Sequence, residues 1–182
     1  MATDVAARDP STFRSASLPR GFAALTRAMN AVGSAWILAL MALIVADVAG
    51  RDFFDHPVRG VTEILSLSIV GIVFLQLGDT LRAGRFTRAD VLLDRLRRDR
   101  PRLAHLLLGC YDLAGALLLG IILWASWAPL VESIRIGEHV GAIGDFTAPT
   151  WPIRLIIVAG SAVTAVAFLL LAVAEFRAAR RP

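Results

Sequence analysis

Four stretches of this chain suit a lipid bilayer better than water. Ala28–Ala46, Leu113–Val131 and Leu155–Ala174 each run for about 20 residues without a formal charge, and Ile64–Gly78 is a shorter fourth. A helix rises about 1.5 Å per residue, so about 20 apolar residues cross the hydrocarbon core. In 182 residues that leaves only short connections. The sequence therefore predicts an all-α, polytopic membrane protein with four transmembrane helices, at about 27–49, 61–81, 103–130 and 153–174. Any site must lie inside the bundle, on its surfaces or on a partner.

Composition agrees. Mean hydropathy is +0.66 and 57% of residues are hydrophobic, too apolar for an ordinary soluble domain. The net charge of +4 would suit nucleic acid, but its distribution points to a membrane. All 19 basic residues are arginine, and only Arg51, Arg59, Arg135 and Arg154 fall on one side of the four stretches. The positive-inside rule then predicts a cytoplasmic side holding both termini and the central loop. Trp124, Trp127 and Trp151 would lie near the outer interface, where indoles prefer to sit, whereas Trp36 is deeper. The N-terminus is a poor signal peptide, because about 20 polar residues precede a span-length apolar stretch.

Residues 1–18 read as a disordered cytoplasmic segment, 19–176 as the transmembrane domain and 177–182 as a basic tail. Between spans two and three, Thr87-x-x-Asp90 is a capping box opening a helix over about 86–99. Ala89, Leu92, Leu93 and Leu96 share one face of it, and Arg88, Arg95 and Arg98 fall elsewhere. That amphipathic pattern suits a short helix lying in the headgroup region, with Arg85, Arg88, Asp90, Arg95 and Arg98 as its lipid and interface contacts. Pro101 fits the first turn of span three. Gly137, Gly141, Gly144, Pro149 and Pro152 make the outer loop 132–152 too irregular for a continuous helix.

Ionisable residues in spans are costly and invite a functional reading. Most here have local explanations. Asp47 and Arg51, and Arg59 and Glu63, are spaced i,i+4 and can pair within one helix. Glu63 and Asp79 lie about 24 Å apart along span two, so each can reach an interface. Asp112 has no such neighbour. Its options are a structural hydrogen bond across helices, a subunit contact or ion handling, with Asn30 a possible partner at similar depth. Small residues form stripes at Ala31, Ala35 and Ala39, at Ala42, Ala46 and Ala49, and in span four at Gly160 with Thr164 and Ser161 with Ala165. Such stripes permit close helix approach, first of all within the bundle.

Enzyme readings find little support. The sequence has no HExxH, GxSxG, P-loop or cysteine–histidine metal cluster. His56, His105 and His139 fall near span ends or in loops, poorly placed to hold a haem between them. The expectation is a non-enzymatic protein with no cofactor.

The segment Arg51–Leu96 carries a family likeness. It reads R-D-F-F-D-H-P-V-R-G-V-T-E, then an apolar span, then L-Q-L-G-D-T-L-R-A-G-R-F-T-R-A-D-V-L-L-D-R-L. This resembles the small membrane subunit (DctQ type) of tripartite ATP-independent periplasmic, or TRAP, transporters, at Arg51, Phe54, Glu63, Gly78, Gly84 and Asp90. The outer segment resembles one branch of that family at Gly137, Glu138, Gly141, Pro149, Trp151, Pro152 and Arg154. The likeness covers about residues 20–176. It departs at Phe86, where many members carry a histidine.

The resemblance implies a scaffold subunit of a sodium-coupled, binding-protein-dependent secondary importer of small organic acids in a bacterial inner membrane. The implied partners are a large polytopic transport subunit and a periplasmic solute-binding protein, besides anionic lipid headgroups. Candidate subunit or docking contacts are Arg51, Glu63, Asp112, Glu138, Trp151 and Arg154. A membrane anchor for another complex, such as a respiratory enzyme, is the second reading.

Overall fold

A computed structural model describes residues 19–55, 58, 60–83, 101–141 and 147–180. The interfacial helix expected over 86–99, with Arg85, Arg88, Asp90, Arg95 and Arg98, lies outside them, as do residues 1–18. The described chain holds four helices long and apolar enough to cross a membrane: α1 (Arg20–Phe54), α2 (Val61–Arg82), α3 (Pro101–Ile136) and α4 (Trp151–Ala179). A short antiparallel pair, β1 (His139–Val140) and β2 (Ala148–Pro149), joins α3 to α4.

Local chemistry sets the helix ends. α1 stops at Asp55, which adopts a left-handed backbone (φ 51°) and donates its N–H to the Gly50 carbonyl. α2 starts after Gly60, at φ 77°, a conformation a residue without Cβ takes without strain. α3 starts on Pro101, whose missing N–H has no helical partner there in any case. It ends in a Schellman-type turn: Gly137 is at φ 60°, and Glu138 N–H donates to the Ser133 carbonyl at 3.1 Å. α1 and α3 overrun their expected spans at both ends, and α4 continues through Arg177 to Ala179. Hydropathy marks the lipid-embedded part of a helix; the hydrogen-bonded ladder continues into the flanks.

The helices pack in the order α1–α2–α4–α3, with α4 between α2 and α3. The close approaches give the directions. The Phe168 ring lies over Gly115 and the Phe176 ring over Gly109, so α3 and α4 are antiparallel. Gly78 meets Thr164 and Gly160 meets Phe74, so α2 and α4 run parallel. A Cβ at Gly160 would stand 2.5 Å from the Phe74 carbonyl oxygen, so only glycine allows this approach. Between apolar helices in lipid the attraction comes from such packing rather than from burial out of water. The core joins Leu81 of α2, Ala116 and Leu119 of α3, and Ala165, Ala167, Phe168 and Leu171 of α4.

The small residues of α4 behave as expected: Gly160, Ser161, Thr164 and Ala165 are all buried in the bundle. Those of α1 do not. Ala31, Ala35, Ala39, Ala42 and Ala46 are exposed, and α1 turns Ala23, Thr26, Gly33 and Leu40 inward instead.

Candidate subunit-contact surfaces

The strand pair and the adjoining helix ends form one polar knot. Glu138 N–H is used in closing α3, and its carbonyl accepts from Thr150 N–H at 3.0 Å and from Thr150 Oγ1 at 3.2 Å. Thr150 Oγ1 also shares a hydrogen bond with Ser133 Oγ at 3.1 Å, both residues being buried. The Glu138 carboxylate faces the Arg154 guanidinium at 2.8 Å, and Arg154 Nη1 donates to the Pro129 carbonyl at 2.9 Å. Arg154 therefore holds the strand pair and the last turns of α3 at once. An exposed ion pair contributes only about 0–1 kcal/mol, but this one belongs to a network that fixes side chain and backbone together. Trp151 follows Thr150 and opens α4, half-exposed, while Trp124 and Trp127 are exposed on α3. Three of the sequence candidates, Glu138, Trp151 and Arg154, thus share one end of the bundle.

At the α1–α2 connection, Asp47 Oδ2 accepts from Arg51 Nη2 at 3.0 Å, and Asp47 Oδ1 accepts from Val58 N–H at 2.8 Å. The i,i+4 spacing foretold the first bond. The second, which ties the connection down, leaves no periodic signal. Glu63 is half-buried in the first turn of α2, where a carboxylate favours the positive end of the helix dipole. Arg59, the partner its spacing suggests, lies outside the described residues.

The opposite end carries a second polar group. Asp79 Oδ2 accepts from Asn30 Nδ2 at 3.1 Å, and Asp79 Oδ1 accepts from Arg82 Nε and Nη2 at 2.9 and 2.7 Å. Asn30 therefore serves Asp79, not Asp112 as its apparent depth suggested. Contacts traced through Gly78–Thr164 and Gly115–Phe168 set Asp112 about two turns, ~10 Å, from the level of Asn30. Asp112 is fully buried on α3. Nearby along the same hairpin, His105 Nδ1 lies 2.7 Å from Glu175 Oε2, joining α3 to α4. Sequence reasoning missed this pair. Its one signal is that antiparallel helices place residues equidistant from their connection side by side, and the long, irregular segment 137–150 hides the centre of that count.

Among the described residues no three histidine, cysteine, aspartate or glutamate side chains gather as a metal ligand set. The candidates thus sort into the strand-pair knot, the Arg51–Asp47 connection with Glu63, and the buried Asp112 near the other end. No curated protein and no solved structure matches the chain. The family model of the DctQ component of tripartite ATP-independent periplasmic transporters matches residues 40–178, which is most of the chain and takes in α2, α3, α4 and the strand pair. A bundle of four apolar helices with polar groups knotted at its ends, matched over that length, belongs to the DctQ family, the small membrane subunits that work with a large DctM subunit and a periplasmic binding protein.

Proposed function

We propose that this chain is the small scaffold subunit of a sodium-coupled importer that takes small organic acids from a periplasmic binding protein. It supports the large transport subunit, and its Glu138–Arg154 end helps dock the binding protein. The observation that carries this reading is the unbroken course of the helices in a DctQ-family chain. Substrate sites of secondary transporters are built from interrupted helices whose half-helix ends face the ligand near the midplane. Here the one proline inside a described helix, past the first turn, is Pro129, near the end of α3. The paired charges gather toward the helix ends. Such a bundle gives a large subunit a fixed wall to work against.

The arginine distribution supports an inner-membrane orientation with both termini in the cytoplasm and the strand pair in the periplasm. Arg85, Arg88, Asp90, Arg95 and Arg98 would then contact anionic headgroups, at about 1 kcal/mol per basic residue. Arg51, Glu63 and Trp151 would join Glu138 and Arg154 on the periplasmic surface, and Asp112 would act from inside the bundle.

The test is purification of the C-terminally tagged chain from gently solubilised membranes, with uptake measured after reconstitution. A stoichiometric polytopic partner, and sodium-dependent uptake that needs the binding protein and both membrane subunits, is the expected result. Co-purification of a haem protein or a soluble dehydrogenase would overturn it in favour of an anchor role.

A further inference from the structure

The face shared by α1 and α2 contains a polar side chain to which the described residues supply no hydrogen bond. Gln76 lies on α2 six residues before Arg82, about 9 Å along the helix from that end. Its side chain rests on the α1 backbone at Gly33: a Cβ there would stand 2.9 Å from Gln76 Cγ and 3.1 Å from Nε2. The missing side chain at position 33 makes this place for the amide. Yet among the described residues no hydrogen bond reaches the Gln76 carboxamide.

The surrounding polar side chains differ in this respect. One turn nearer the helix end, Asn30 and Arg82 both donate to Asp79. Thr26 Oγ1 donates to the backbone carbonyl of Ala23, and Thr80 Oγ1 donates to the backbone carbonyl of Gln76. Each is satisfied inside the chain, so the polar group at the end of α1–α2 is closed. Gln76 is half-buried and so is not sealed inside the bundle. Two donors and an acceptor at that depth find no bulk water and no partner in lipid tails. Such a group is a recognised adhesive between membrane helices.

We propose that the Gln76 carboxamide is the hydrogen-bonding contact by which a transmembrane helix of the large subunit seats against the α1–α2 face. This rests on the scaffold reading above and adds a contact point to it. The partner must offer a polar side chain, or an exposed backbone carbonyl of a broken helix, at the depth of Gln76.

The test is co-purification of the two membrane subunits, comparing wild type with Gln76→Leu, which keeps the volume and removes the amide, and Gln76→Asn, which keeps a shorter amide. The expected result is about a five-fold fall in large subunit recovered with Gln76→Leu and a smaller fall with Gln76→Asn. A photoreactive benzophenone amino acid in place of Gln76 should then form an adduct with the large subunit on irradiation, which a general folding defect would not produce. Unchanged recovery with Gln76→Leu, or adducts only with lipid or a second copy of this chain, would overturn the proposal. If the wild-type chain brings down no large subunit, it is the scaffold reading that fails.

Discussion

Asn30 and Asp79 meet across α1 and α2 at 3.1 Å, and Arg82 closes on the same carboxylate from the next turn of α2. The carboxylate is nearly buried, so its charge is stabilised by these donors rather than by solvent. Asp79→Ala would leave Arg82 without its counter-ion and Asn30 without its acceptor. The expected cost is about 3 kcal/mol, read as a lowered unfolding midpoint in detergent. Asn30→Ala removes one hydrogen bond to a charged group and should cost about 1–2 kcal/mol. A smaller effect for Asp79→Ala than for Asn30→Ala would show that the pair is solvated and does not hold α1 in place.

Two glycines should respond oppositely to the same methyl group. A Cβ at Gly160 meets the backbone of Phe74, which has no rotamer by which to move away. Gly160→Ala should separate α2 from α4 and cost at least about 1–3 kcal/mol. A Cβ at Gly120 meets nothing within 4 Å. Gly120→Ala should be neutral, or stabilise by up to about 1 kcal/mol through helix propensity. Thermal unfolding of the two purified variants checks both signs.

These cases show which parts of the fold were legible in the sequence. The four helices were, because a bilayer demands about 20 apolar residues of each span and the chain supplies them. The neighbour order was not. In lipid the outward and inward faces are both apolar, so no amphipathic stripe marks the inside. α1 illustrates the loss: its alanine stripe faces out, and Thr26, Gly33 and Leu40, of mixed chemistry though spaced by sevens, face in. The Asn30–Asp112 pairing failed for a related reason. Asn30 and Asp112 lie 10 and 11 residues into α1 and α3, yet the packing sets them about two turns apart, because the offset of one helix along another follows side-chain packing that leaves no periodic mark. Of the contact residues, the Asp47–Arg51 pair was legible from its spacing alone. The Glu138–Arg154 and His105–Glu175 pairs depend on how α3 and α4 close, which the irregular connection did not reveal.

The His105–Glu175 contact ties the start of α3 to the end of α4, far from the strand pair that joins them. Both side chains are partly accessible, so the gain is modest: a double-mutant cycle of His105→Ala and Glu175→Ala should give a coupling of about 0.5–1 kcal/mol. A zero coupling energy in thermal unfolding would mean that the hairpin is held by Phe168 and Phe176 over their glycines and not by this pair.

Arg154 and Glu138 are partners, yet their removal should not be equivalent. Glu138→Ala takes away the carboxylate and leaves the Glu138 backbone bonded to Thr150 and Ser133. Arg154→Ala takes away the ion pair and also the donor to the Pro129 carbonyl, loosening the strand pair from the last turns of α3, to which only the Ser133 bonds then hold it among those described. Limited proteolysis within residues 137–150 should therefore quicken more for Arg154→Ala than for Glu138→Ala, with the other loops unchanged. Uptake supplies the second axis. If this end receives the binding protein, both variants should lower uptake at limiting binding protein and recover when it is supplied in excess, with the membrane abundance of the chain unaltered. Arg154→Ala should need the larger excess, since it disturbs the shape of the surface as well as its charge. Equal proteolysis of the two variants would show that the Pro129 contact adds nothing to the ion pair, and full uptake by both would remove the strand-pair end from the docking surface.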